Sequence, residues 1–438
     1  MQRTAFLAVV AAVACVAGLA SSLAIPRPTA DNREVRVDYL DGIGSLNSTN
    51  VYSGFANVSS VYDSSLYYLF FESRSATPAT DPVVVWFQGG PGCSSLFGLF
   101  IENGPYMILE NETFVFNPYS WNNNAHVLWI DQPVGTGYSY TNSPLGYDVN
   151  EAEIARQAYI TLTTFFQRHP EYAKQKLFLF GESYGGHYVP HIANYILQQT
   201  NTLNLAGIGI GNGWLSPYYQ TGQNAKFLYE HGRITALERD AYDDSYVLYK
   251  ALLDAKLYVP ATVVGNAMLE ALTLEGGIGD VYDINEKSDP TTPLNKALTK
   301  YLDSESVKQK LQATQHKWVG CNNLPHLALI DDSERSSLKL LPGILAKIRV
   351  LLYNGGNDLI CNYLGTAAYA AEINWPFQDQ FNNAVNTTWY VDGVAAGWYK
   401  SASSLTKLVV NDASHMVPYS QPKNALAMLT SFINNTPY

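Results

Sequence analysis

The sequence predicts an α/β fold, with a mostly parallel central sheet, helices on both faces and an inserted, mainly helical cap. Three observations lead there. Short continuous apolar runs recur along the chain, the mark of strands buried on both faces. Segments with apolar residues at helical spacing alternate with them, and strand–helix alternation builds a parallel sheet. One stretch, about 216–340, breaks the pattern with little strand signal. It is too long for a loop inside a compact core and reads as an insertion.

The elements follow in order. Residues 1–24 carry Arg3, an apolar run from Ala5 to Ala20 and a small-residue site at Ser22-Leu23-Ala24. This is the pattern of a secretory signal peptide, and the run is short for a membrane span of about 20 residues. No other stretch is long and apolar enough to cross a membrane, so no stable membrane anchor is expected. The remaining 25–438 reads as one catalytic domain carrying the cap. VYSGFANVS and LYYLFFESR read as a hairpin rich in Val, Tyr and Phe. VVVWF (83–87), HVLWI (126–130) and KLFLF (176–180) are buried strands, and LAGIGIGNGWL (205–215) contains a fourth. EAEIARQAYITLTTFFQRH (151–169) is an amphipathic helix stopped by Pro170, and HYVPHIANYILQQ is a second helix. After the insertion the sheet resumes with IRVLLYNGG (348–356) and SLTKLVV (404–410), and a last helix starts near Pro422.

Composition narrows the function. Apolar residues are 47% of the 438, enough for a sizeable core. Lys and Arg total 27 against 38 Asp and Glu, a net charge of −11. That balance, with no basic cluster, excludes a nucleic-acid partner, whose phosphates need a basic surface. Asn47, Asn57, Asn111, Asn386 and Asn434 each head an N-x-Ser/Thr triplet, in keeping with glycosylation in the secretory pathway. Cys15 leaves with the signal peptide. Cys93, Cys321 and Cys361 remain, which suggests one disulfide and one free thiol among three open pairings. No Cys or His stands at ligand spacing from another Cys, so neither metal nor cofactor is expected.

Gly181-Glu182-Ser183-Tyr184-Gly185 fits G-x-S-x-G and falls between a buried strand and a helix. Small neighbours permit a sharp turn that lifts the serine above the sheet edge, with the next backbone N–H aimed at the oxygen that becomes charged in acyl transfer. Serine needs a base. In this architecture acid and base follow from later strand ends, in the order Ser, Asp, His. Asp358, just past IRVLLYNGG, and His415, just past SLTKLVV, stand where topology requires them. Asp131 precedes the serine, Asp412 is too near His415 in sequence to orient its ring, and Asp331 and Asp332 fall in the cap. His187 and His191 are four apart on a helix, but the Glu of H-E-x-x-H is missing and Pro190 intervenes, so both read as structural. The other histidines have no supporting context.

FQGGPGCSS (87–95), DQPVGTGYSY (131–140), GESYGGHYVP (181–190), NGGNDLICN (354–362) and ASHMVPYSQP (413–422) together resemble the serine carboxypeptidases, α/β-hydrolase exopeptidases that remove C-terminal residues. The resemblance implies Ser183 as nucleophile, His415 as base and Asp358 as its orienting acid, with the N–H groups of Gly90 and Tyr184 as oxyanion hole. It implies that Gln88, Gly89, Glu102 and Glu182 bind the substrate carboxylate, with a proton held between the two carboxyls, so that binding is favoured at acid pH. Without it, Glu102 reads as a surface helix residue. Gln88 departs from the family's usual Asn, keeping the amide one methylene further out, as in the vitellogenic-like branch. The resemblance also implies a Cys93–Cys321 disulfide, with Cys361 as a free buried thiol near the site. Phe97 beside the Gly-rich loop hints at an apolar pocket. EGGIGDVYDINEKSDP is an exposed candidate for cleavage into two chains.

Peptide and protein C-termini are thus the expected partners, a homodimer is compatible with the sequence, and the expected location is extracellular or vacuolar/lysosomal. Two other readings share these residues. An esterase or acyltransferase would use the same triad on another acyl group, and a protective or binding protein for other hydrolases would use the fold as scaffold. The complete carboxylate-binding set favours the peptidase over the first, and the intact triad favours it over the second.

Overall fold

The computed structural model describes residues 32–200 and 203–438, so the predicted signal peptide 1–24 lies outside the described residues. The sheet strands are β1 (Glu34–Arg36), β2 (Val51–Ser59), β3 (Ser64–Phe71), β4 (Val83–Phe87), β5 (His126–Asp131), β6 (Leu177–Glu182), β7 (Leu205–Gly211), β8 (Arg349–Gly355), β9 (Thr387–Val391), β10 (Val394–Ala402) and β11 (Leu405–Val410). Their order is β1-β2-β3-β5-β4-β6-β7-β8-β11-β10-β9, and Tyr140–Thr141 adds a twelfth short strand on β3. The centre, β5 through β11, pairs parallel, and both margins are antiparallel.

The continuous apolar runs are buried on both faces because alternate side chains enter two different cores. Val83, Val85 and Phe87 of β4 pack with Leu177 and Leu179 of β6 against α1 (Glu151–Arg168) and α2 (Gly185–Leu197). Val84 and Trp86 face the other way with Phe178, Phe180, Leu351 and Tyr353, where Met428 and Phe432 of the C-terminal helix 422–434 cover them. Each such fully buried side chain contributes about 1.5–3 kcal/mol. α1 starts at Asn150, whose side chain accepts from the Glu153 N–H, and stops at His169, before Pro170.

The hairpin β9–β10 is an addition to the predicted sheet. Its outer positions are mostly exposed and lack a clean apolar alternation. The usable signal is Asp392-Gly393, both at positive φ in the connecting turn.

The chain leaves the sheet after Gly211 and returns at Arg349. In between, α3 (Ala236–Asp254) and α4 (Tyr258–Glu275) form an antiparallel pair with a core of Phe227, Tyr249, Leu253, Met268 and Leu272. α5 (Thr291–Leu302) and Trp318 instead join the core of the sheet. Within EGGIGDVYDINEKSDP, Asp280, Asp283 and Ile284 are buried, and Leu359 N–H and Ile360 N–H both donate to Val281 O. The exposed residues of that predicted loop are Glu275, Gly277, Gly279 and residues 285–288.

Candidate active site

Ser183 follows β6 directly and holds φ at +58°, a left-handed conformation for a non-glycine residue that costs of order 1–3 kcal/mol unless the surroundings impose it. They do. Ser183 N–H donates to Gly211 O at 3.0 Å, and Ser183 O accepts from Trp214 N at 2.7 Å and Gly186 N at 2.9 Å. Glycine is required at 186, where a Cβ would stand 2.6 Å from Trp214 O.

Asp358 and His415 meet beside this turn. His415 Nδ1 lies 3.0 Å from Asp358 Oδ2, and both residues are buried. Asn212 Nδ2 donates to the same Oδ2 at 2.7 Å, while its Oδ1 accepts from Gly355 N at 3.1 Å. His415 N–H donates to Tyr282 O at 2.8 Å, and the Tyr282 ring lies 4.9 Å from the imidazole. Ser183 and His415 line one cavity of about 300 Å³. No hydrogen bond joins them among the described residues; such contacts commonly tighten only on substrate binding. Asn212 and Tyr282 escaped the sequence reading. The first sits one residue past β7 in a Gly-Asn-Gly turn, and the second lies in the segment between β7 and β8.

The Gly-rich loop reaches the serine through backbone alone. A Cβ at Gly89 would lie 2.6 Å from Tyr184 N and 2.7 Å from Ser183 Cβ, and Gly90 has φ +112°. Among the described residues, neither Gly90 N–H nor Tyr184 N–H has an acceptor. The loop is held by Asp131, which accepts from Ser94 Oγ at 2.6 Å, Ser95 N at 2.9 Å and Tyr138 N at 3.0 Å. Burial pushes the Asp131 carboxyl up to about 6 against these donors. Cys93 and Cys321 form the disulfide, tying the loop to the segment between β7 and β8, and Cys361 is free and buried.

Glu102 lies in the helical turn 98–103 and is 1% exposed, which corrects the surface reading. It stands behind Glu182, which lines the cavity with Gln88 and Gly89. Gln88 Nε2 donates to Glu182 Oε1 at 2.9 Å, and Gln88 Oε1 accepts from Trp86 Nε1 at 2.8 Å. Gly98 clears room for this amide, since a Cβ there would be 2.9 Å from Gln88 Oε1. Both oxygens of Glu102 and Oε2 of Glu182 lack a donor. Two carboxylates offer only acceptors to each other; one proton between them makes the contact a hydrogen bond. Burial raises the Glu102 carboxyl, and burial followed by the facing Glu102 raises Glu182 well above the usual range.

Phe97 lines the same cavity with the polar Asp289, Thr292, Asn295 and Lys296 of the segment between β7 and β8. A second cavity of about 190 Å³ opens on the other side of Ser183, and Gly90 borders both. Asp358, Cys361 and His415 bring one donor atom each within 4.8 Å of one another, a grouping the spacing in sequence conceals. Asp358 and His415 use those atoms on each other, and burial holds the Cys361 thiol protonated. His187 is buried with its carried proton disfavoured, its pKa lowered to about 3 by burial and by His191, and its Nδ1 lies 3.0 Å from Ser337 Oγ. Of the glycosylation candidates, Asn47, Asn111, Asn386 and Asn434 are exposed. Asn57 is half-buried on β2, with its amide donating to Ser64 O.

A parallel sheet with a serine turn, a later Asp and a last His defines an acyl-transferring α/β enzyme, and comparison places it. The Peptidase S10 family, serine carboxypeptidase, matches residues 43–435. Serine carboxypeptidase S10 family member 1 of Dictyostelium discoideum is 37% identical, covering 92% of this chain and 98% of that protein. Carboxypeptidase Y homolog A of Leptosphaeria maculans is 35% identical over 92% of this chain and 77% of its own length. The crystal structure of Kex1, a prohormone-processing carboxypeptidase from Saccharomyces cerevisiae, superposes with a TM-score of 0.80 at 25% identity, covering 91% of this chain and 94% of that one. The chain belongs to the serine carboxypeptidase family and is a serine-type carboxypeptidase of the α/β-hydrolase fold.

Proposed function

We propose that this enzyme releases the C-terminal residue of a peptide in a cavity that binds the terminal carboxylate through Gln88, Gly89 and the proton shared by Glu102 and Glu182. Ser183 Oγ attacks the last peptide carbonyl as His415 takes its proton. Gly90 N–H and Tyr184 N–H receive the developing oxyanion, where each donor is worth about 10²–10³ in rate. His415 then protonates the leaving amine, and water attacks the resulting ester to free the shortened peptide. Asp358, held by Asn212, keeps the imidazole in the tautomer with Nδ1–H.

One observation carries this reading: a carboxyl that lines the cavity holding Ser183, bonded to an amide and backed by a second buried carboxyl whose oxygens have no donor. An ordinary endopeptidase or esterase has no use for it. The sign of the pH dependence follows. Both carboxyls are raised, so the pair keeps its proton at acid pH and accepts an incoming carboxylate; as pH rises through the raised values the proton leaves and three negative charges would face one another. Binding is therefore strong at acid pH and lost above it. Residues 216–340 serve as a cap over the site, and residues 1–24 direct the chain into the secretory pathway, to an extracellular or vacuolar/lysosomal location. Among the described residues no helix is long and apolar enough to cross a membrane.

The test uses one peptide with a free C-terminal acid and with a C-terminal amide, followed by mass spectrometry at ~pH 5 and ~pH 7.5, on either side of the raised carboxyl range. The expected result is stepwise shortening of the free acid alone, faster at the lower pH and absent in Ser183→Ala. Equal turnover of acid and amide would sink the carboxyl-lock reading.

A further inference from the structure

The carboxylate of the departing residue occupies the first cavity, so the peptide remaining on the acyl side must leave Ser183 toward the second. That second cavity carries a buried carboxyl that the mechanism does not use. Glu334 is 8% exposed and lines it with Tyr249, Thr262 and Asn224. Its Oε2 accepts from the Tyr249 hydroxyl of α3, and its carboxyl is also bonded by the Thr262 side chain of α4. Both partners are neutral. Among the described residues no Lys, Arg or His forms an ion pair with Glu334. The adjacent Arg335 is committed elsewhere, to Asp331 at 2.7 Å and Asp332 at 3.3 Å. Burial pushes the Glu334 carboxyl up to about 7, as expected of an acid without a counter-ion.

A cavity of this construction is missing one component, a cation delivered by the ligand. Leu269, Ile330 and Ile360 line the way from Ser183 and suit an aliphatic stem, while Glu334 suits the head that ends it. An apolar side chain of the same length would leave the carboxyl buried with neutral donors only. We propose that Glu334 is a specificity-determining residue, selecting lysine or arginine at the position immediately before the residue that is released. This rests on the reading of Ser183 and the carboxylate pocket given above.

Two blocked peptides test it, ending in Lys-Leu and in norleucine-Leu; norleucine keeps most of the lysine stem and lacks the ammonium. Release of leucine is measured as kcat/KM at ~pH 6, below the usual lysine range and within reach of the acid limb. The wild-type enzyme is expected to favour Lys-Leu by at least about tenfold, since a site built around a polar group strongly rejects the analogue lacking its partner. Glu334→Gln is expected to erase that ratio while changing the norleucine substrate by less than about threefold. A wild-type ratio at or below one overturns the proposal without recourse to any variant. An equal loss on both substrates in Glu334→Gln also overturns it and makes the residue only a tie between α3 and α4. Release from neither peptide overturns the carboxypeptidase reading itself, and this inference with it.

Discussion

Two groups of buried acids lie near Ser183, and the same physics acts on both. Glu182 lines the cavity beside Ser183 and is bonded to Gln88, with the buried Glu102 facing it from behind. Asp148, Glu151 and Asp332 cluster at the start of α1, near Tyr184 and Tyr188, and line neither cavity beside Ser183. Burial raises the carboxyls in both groups: Asp148 to about 8, Asp332 to about 6 and Glu151 well above its usual value. What separates the groups is access. A raised carboxyl that a ligand can reach becomes a recognition element, whereas one that nothing reaches only makes the fold sensitive to pH.

The strongest way to break that contrast is Glu182→Ala. It removes the partner of Gln88 and leaves Glu102 alone behind the cavity. Release from free-acid peptides should fall about 10²–10³-fold, mostly through KM, because truncating one member of a buried hydrogen-bonded set costs several kcal/mol. Hydrolysis of a simple ester without a carboxylate should fall far less. Steady-state kinetics on the two substrates decides it; equal losses would mean that Glu182 only supports the serine turn.

Glu151→Gln probes the closed group. Neither Glu151 oxygen has a partner, and its N–H donates to Asp332 Oδ2 at 3.1 Å. Its folded pKa is raised, so the folded chain keeps the proton that the unfolded chain releases above about pH 4.3. Stability is therefore full at acid pH and falls as pH rises, by about 1.4 kcal/mol per unit for one such group. The glutamine variant should flatten the fall in Tm between pH 5 and 8 and leave the acid-pH kinetics within about twofold. A variant whose Tm tracks the wild type at every pH would show that Glu151 does not carry the dependence.

The same contrast explains what could be read without coordinates. VVVWF, KLFLF and IRVLLYNGG announce themselves because both faces of those strands are buried, so nearly every position must be apolar. Ser183, Asp358 and His415 are legible because topology puts each at a strand end. Glu102 is not, because its burial depends on a turn packing under β4 and not on its neighbours in sequence. Asn212, Tyr282 and Glu334 matter only through what the fold brings beside them. The β9–β10 hairpin sits at the sheet margin, where exposure removes the apolar pattern and leaves only the Asp392-Gly393 turn as a signal.

Gln88→Asn is the smallest and sharpest change. The glutamine amide bridges two fixed points, Trp86 Nε1 at 2.8 Å and Glu182 Oε1 at 2.9 Å, over the space that Gly98 leaves open. An asparagine is one methylene shorter and cannot span both without moving β4 or the serine turn. It should keep one of the two bonds and lose the other, worth about 1 kcal/mol for a neutral contact and somewhat more if the carboxyl partner is abandoned. If the Glu182 bond is the one lost, KM for free-acid peptides should rise about five- to tenfold, with ester turnover unchanged. If the Trp86 bond is lost instead, KM should hold and Tm should drop by a few degrees. The two outcomes assign the amide to recognition or to packing, and the first is expected, because Trp86 is enclosed by the core while Glu182 faces a cavity that water and substrate can enter.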